Sequence, residues 1–199
     1  MTHKFYFFAL FIIIMTGLYA PNSYSQKPNY ICTLANDALT SGNTYEFDIY
    51  LLRTGSAPFE LGGFELGILY NNDIKNGGNL TALFIPGSVD PAIIASGQEN
   101  KVFKTDTPGI IKILPKLATK GHGTGAIISN QPPGTRIGRL RLTNSIPFSS
   151  LRPNIALNFN NKPYRTLISA YISQINTDIT DSNKYIISLK NPVLSKKNR

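Results

Sequence analysis

Apolar and polar residues alternate along much of this chain. Tyr45, Phe47, Ile49 and Leu51 fall on one side of an extended segment, with Glu46 and Asp48 on the other. Phe64, Leu66, Ile68 and Tyr70 do the same opposite Glu65 and Gly67. Leu140 and Leu142 alternate with Arg139 and Arg141, and Ile155, Leu157 and Phe159 form a further apolar set. A period of two marks a strand with one buried and one solvated face. Gly, Pro, Asn, Ser and Thr recur about every eight to twelve residues between segments rich in β-branched and aromatic side chains, the spacing of an all-β sandwich or barrel. The pattern predicts strands over 30–34, 44–53, 59–70, 81–85, 110–115, 126–129, 135–143, 155–159, 167–174 and 184–189. It also predicts antiparallel sheets, solvated outside and packed together inside. The stretch 86–107 is the least strand-like and reads as a long loop with a short helical turn. No fixed-period repeat or low-complexity linker divides the chain.

The first residues read as an address label. His3 and Lys4 precede an apolar run over 5–20, and Ser23 and Ser25 stand at the minus-three and minus-one positions before Gln26. This is the layout of a secretory signal peptide over 1–25. The alternative, a retained membrane anchor, is disfavoured because sixteen residues fall short of the roughly twenty that span a bilayer. The expected domain covers 26–194, followed by a basic, disordered tail over 195–199. An exported, secreted or cell-surface location follows, with no membrane span after signal cleavage.

Composition narrows the chemistry. Cys32 is the one cysteine, so no intrachain disulfide can form despite the exported destination. Its setting in YICTL reads as a buried, inert thiol. Charge is uneven: residues 26–100 hold three basic and eight acidic side chains, whereas 101–165 hold eleven basic and one acidic. That split means either a dipolar surface or, the preferred reading, strands of the two halves interleaved in space so that the charges mix. Arg136, Arg139 and Arg141 alternate out of a strand with no nucleic-acid motif, and no nucleic-acid partner is expected.

No catalytic constellation stands out. Glu46, Asp48, Glu60 and Glu65 read as outward acids that keep a sheet soluble, Glu46 and Asp48 being neighbours on one strand face. His122, in GHGTG, belongs to a Gly-rich turn without the strand-to-helix context of a phosphate loop. Asn176, Asp178, Asp181 and Asn183 offer oxygen atoms suited to calcium, but their spacing fits no EF-hand and their residue types are those of ordinary turns. Neither a cofactor nor a metal is expected, and the chain is not expected to be an enzyme. Carbohydrate binding commonly uses exposed aromatic rows. There is no tryptophan, and the candidate ligand-binding residues are Tyr50, Tyr164, Tyr171 and Tyr185, of which Tyr50 and Tyr171 fall out of phase with the apolar set of their strands.

The run YEFDIYLLRTGSAPFELGGFELGILYNNDI resembles the opening of cohesin-like domains, where a strand, a turn and a second strand end in a YDP-like turn, here Tyr70-Asn71-Asn72-Asp73. GIIKIL at 109–114, a Gly-rich turn at 121–125, GTRIGRLRLTN at 134–144 and NIALNFN follow in the order of that family. The resemblance spans about 30–190 and implies a two-sheet antiparallel sandwich of jelly-roll type with about nine strands, related to carbohydrate-binding modules. Cohesins of cellulosomes bind dockerins. The segments LLRTG, PFEL and RLTNS are similar to N-terminal regions of large surface proteins of Bacteroidetes-type bacteria, which often close with a type IX secretion sorting domain. No such domain is seen before Arg199, so the expectation is a stand-alone module or a piece of a larger surface protein. The resulting expectation is a non-catalytic exported binding module for a polysaccharide or a cell-surface protein partner. The alternative is a structural spacer or scaffold module with no ligand of its own.

Overall fold

The computed structural model describes residues 26–115, 121–160 and 163–194. The expected signal peptide over 1–25 and the expected tail over 195–199 lie outside the described residues. The strands are β1 (Tyr30–Ser41), β2 (Thr44–Arg53), β3 (Glu60–Leu69), β4 (Leu80–Phe84), β5 (Asn100–Lys104), β6 (Ile110–Pro115), β7 (Ala126–Ile127), β8 (Thr135–Asn144), β9 (Ala156–Leu157), β10 (Leu167–Ile172), β11 (Ile175–Asp178) and β12 (Tyr185–Ser188). One helix, α1 (Pro91–Ala95), and a 3-10 turn (Asn72–Lys75) interrupt them.

Five strands form one sheet in the order β12-β1-β2-β8-β4. Seven form the other, β11-β10-β3-β6-β5, with β7 and β9 as two-residue additions to β3. All pairings are antiparallel except β1 with β12. The fold is thus the expected all-β sandwich, with twelve strand segments among the described residues where about nine were expected.

The period-two reading places the core. Tyr45, Phe47, Ile49 and Leu51 of β2 are buried with Cys32 and Leu34 of β1 and Leu140 and Leu142 of β8. Across the sandwich they belong to one cluster with Phe64, Leu66 and Ile68 of β3 and Ile111 and Ile113 of β6. With no disulfide to join them, the two sheets depend on this interdigitated layer.

Two strands were not expected at all, and both are sheet edges. β5 lies within the stretch read as a loop, and β11 starts just past the strand expected over 167–174 and runs into NTDITDSN, read as a turn. β11 is the return arm of a hairpin from β10 whose turn holds Ser173 and Gln174 at φ 48° and 70°. Edge strands tolerate polar and charged side chains that a hydrophobic pattern cannot register. α1 occupies the same stretch as β5, where a short helical turn was expected; Asp90 caps it by accepting from the Ala92 N–H at 2.9 Å. β1 runs past its predicted end because a bulge near Asn36, at φ 56°, restores its pairing with β2.

Candidate functional site

The outer face of the five-stranded sheet carries an ion network. β2 and β8 pair with Glu46 opposite Arg141, Asp48 opposite Arg139 and Tyr50 opposite Arg136. Arg139 Nε donates to Glu46 Oε2 at 2.9 Å and Arg141 Nε to Glu46 Oε1 at 2.7 Å, while Arg139 also lies 3.2 Å from Asp48. Asn36 Nδ2 and the Tyr50 hydroxyl donate to Asp48 Oδ2. The expectation of solvated acids is corrected here: Glu46 is 5% and Asp48 4% exposed. They point outward, but three long arginine stems from the facing strand lie over them. The basic and acidic halves of the sequence mix where β2 meets β8, as the interleaved-strand reading expected.

Glu60 is also buried rather than solvated, and sequence reasoning missed its role. Its Oε1 accepts from the N–H groups of Gly123 and Gly125 at 2.7 and 2.9 Å, and His122 Nε2 lies 3.3 Å from Oε2. The Gly-rich turn therefore cradles a carboxylate of its own chain. The signal was present as GHGTG, but the partner lies more than sixty residues away.

Asp178 and Asp181 are engaged in local turns. Asp178 Oδ1 accepts from the Thr180 N–H and its Oδ2 from Arg165, and Asp181 Oδ1 accepts from the Asn183 N–H. Among the described residues no group of three His, Cys, Asp or Glu side chains could hold a metal ion.

Cys32 is fully enclosed, and burial pushes its thiol up to about 12. Native protein is therefore expected to resist a thiol-labelling reagent and to react fully once unfolded in denaturant. Fast labelling of the folded chain would contradict this placement.

The four tyrosines occupy three different surroundings. Tyr50 is buried on the outer face of the five-stranded sheet, beneath the arginine network. Tyr185 is part of the sandwich interior: its ring packs on Phe159 at 5.7 Å and its hydroxyl accepts from the Leu157 N–H at 3.0 Å. Only Tyr164 and Tyr171 belong to the outer side of the seven-stranded sheet. Lys112 Nζ lies 4.8 Å from the centre of the Tyr164 ring, and Tyr171 meets His122 edge to face.

That outer side has a shallow depression with an apolar floor. Gly63 and Glu65 of β3, Leu114 of β6, and Leu167 and Ser169 of β10 line a concavity of about 430 Å³, closed at one end by Arg165 and Asp178. Its charges are already paired, Glu65 with Lys112 at 2.8 Å and Arg165 with Asp178 at 3.0 Å. The glycines are structural as well. Over Gly67 the carbonyl of Tyr164 and the side chain of Asn158 sit so close that a β-carbon has no room. Tyr164 itself adopts φ 54°, a left-handed conformation unusual for an aromatic residue.

No protein-family model matches the sequence, and no curated protein sequence matches it. Among solved structures, the chain is similar to the seventh ScaB type I cohesin from Pseudobacteroides cellulosolvens, at 10% identity and a TM-score of 0.48 over 82% of this chain and 89% of that one. It is similar to a cohesin module of a family 33 glycoside hydrolase from Clostridium perfringens, at 17% identity and a TM-score of 0.45 over 81% and 96%. It is also similar to the sixth cohesin of scaffoldin B from Acetivibrio cellulolyticus, solved in complex with a dockerin, at 8% identity and a TM-score of 0.46 over 81% and 99%. The structural likeness to cohesin modules thus extends over about four-fifths of the chain.

Proposed function

We propose that the chain is an exported, non-catalytic binding module that takes a protein partner on the outer face of its seven-stranded sheet. The observation that carries this reading is the depression over Gly63, Leu114 and Leu167. Its floor is backbone and aliphatic carbon, its depth is that of a sheet missing side chains, and its bordering charges are neutralised in pairs. Such a surface loses little by desolvation and gains from burying apolar side chains of a partner. A polysaccharide is served less well, because sugar rings stack on open aromatic faces. Here Tyr164 is covered by Lys112, and Tyr50 and Tyr185 lie elsewhere. A spacer would need no such face. Catalysis finds no support in the described groups: Glu46 and Asp48 are held by arginines, Glu60 by backbone amides, and Cys32 is enclosed. No helix among the described residues is long and apolar enough to cross a membrane.

The test compares the unaltered protein with Leu167→Arg, Thr81→Arg, Tyr164→Ala and Tyr171→Ala, each immobilised and offered both the surface-protein fraction of the producing cells and a glycan array. Leu167→Arg is expected to lower protein capture about tenfold or more by placing a charge on the apolar floor. Thr81→Arg, on the opposite sheet, should leave capture unchanged. Glycan binding that needs Tyr164 or Tyr171 and survives Leu167→Arg would overturn the protein-partner reading.

A further inference from the structure

The outer edge of β12 has no backbone partner among the described residues, and it lies on the other sheet from the depression described above. β12 runs parallel to β1 with Cys32 opposite Tyr185 and Leu34 opposite Ile187, and the Cys32 N–H donates to the Lys184 carbonyl at 2.7 Å. In a parallel ladder of this register, Lys184, Ile186 and Ser188 turn their peptide groups toward β1, and those of Tyr185 and Ile187 face away. Among the described residues no strand or loop pairs with that side.

The side chains tell the same story. Tyr185, Ile187 and Leu189 share the inward side with Cys32 and Leu34. Tyr185 and Leu189 pack against the core, yet Ile187 between them is 45% exposed, and Ile186 on the outer side is 47% exposed. The seam between the two sheets is therefore left ajar at this edge. Edge strands of soluble proteins are commonly blunted by a charge, a proline or a bulge. The strand Tyr185–Ser188 holds none of these.

Charge decides what fits. Lys184 and Lys190 bracket the strand, and no ion pair to either is found among the described residues. The nearby Asp37 carboxylate is taken up by the N–H groups of Lys190 and Asn191 and by the Tyr45 hydroxyl. A second copy of this strand, paired antiparallel about Ile187, would set Lys184 against Lys190 at both ends. The end of the chain, with Lys196, Lys197 and Arg199, has the same sign. We propose that the β12 edge accepts an extended segment of another protein. That segment alternates apolar and small polar residues, so that one apolar side chain covers Ile187, and carries an acidic residue at each end to meet Lys184 and Lys190.

The test uses the full-length chain, expressed and processed by a bacterial host, and a synthetic peptide Glu-Val-Thr-Val-Thr-Val-Glu followed by amide NMR and fluorescence anisotropy. Binding should shift and protect the amides of Tyr185 and Ile187. Ile187→Pro removes a donor that β1 does not use, so it should weaken binding about fivefold or more with the fold retained. Lys184→Glu with Lys190→Glu should reverse the preference, losing the acidic-ended peptide and gaining the lysine-ended version, which also shows that the variant is folded. No binding, shifts confined to β3 and β10, insensitivity to Ile187→Pro, or self-association of the chain through β12 would each overturn the proposal.

Discussion

Gly67→Ala is expected to destabilise the protein by about 3 kcal/mol or more, the upper range for overpacking a site that cannot relax. The added carbon would press on the Tyr164 carbonyl, and that carbonyl cannot withdraw. The Gly67 N–H donates to Thr166 Oγ1 at 3.2 Å, the Thr166 N–H donates to the Asn158 carbonyl, and the Asn158 N–H donates to the Gly67 carbonyl at 2.7 Å. Asn158 Nδ2 also donates to the Tyr164 carbonyl at 3.1 Å. The covering loop is thus tied to the same residue it would have to leave. Thermal unfolding reads the effect as a fall of about 10 °C for a domain of this size. A shift of only a degree or two would mean that the covering loop moves freely and that its hydrogen bonds do not hold it against Gly67.

Glu46→Ala is expected to cost about 2–3 kcal/mol. Removing Glu46 takes the carboxylate from Arg141 and one of two from Arg139 in a buried network, although Asp48 still faces Arg139 and solvent reaching both arginines moderates the loss. Chemical denaturation measures it directly. The acid limb of the stability curve offers an independent check. Burial pulls the Glu46 carboxyl up, but the N–H donors of Arg139 and Arg141 outweigh it and hold the group below the ordinary glutamate value. A carboxylate depressed in the folded state contributes stability that is complete above its unfolded value of about 4.3 and is lost as pH falls through its folded value. The natural protein should therefore lose stability below about pH 4 more steeply than the Glu46→Ala variant. Equal slopes would show that Glu46 is not held by the arginines.

The strands that bury one side were legible because burial imposes a period on the chain. β2, β3 and β8 lie within a residue or two of their expected bounds, and their inward residues form the core. β5 and β11 were not legible, because an edge strand has a free side on which lysine, asparagine and aspartate are as acceptable as valine. The candidate site divides along similar lines. Tyr50 and Tyr171 were placed correctly as out of phase with the apolar set, but phase does not say what lies above a residue. Arg136, Arg139 and Arg141 lie over Tyr50 and its neighbours, whereas Tyr171 is met by His122. Tyr185 has the inward phase of an edge strand and fills the seam beside Phe159.

By itself the sequence determined the class of fold, the inward set of side chains and the inert setting of Cys32, since these follow from alternation and local composition. Only the tertiary structure decided which outward residues stay in water. Strand pairing brings β8 beside β2 and the Gly-rich turn beside Glu60, contacts separated by more than sixty residues that no local pattern encodes. Pairing turned acids that read as solvated into buried partners of arginine and backbone amides. Among the described residues it also leaves the depression over Gly63 and Leu167 and the outer ladder of β12 without a cover, because a sheet exposes whatever its neighbours fail to reach.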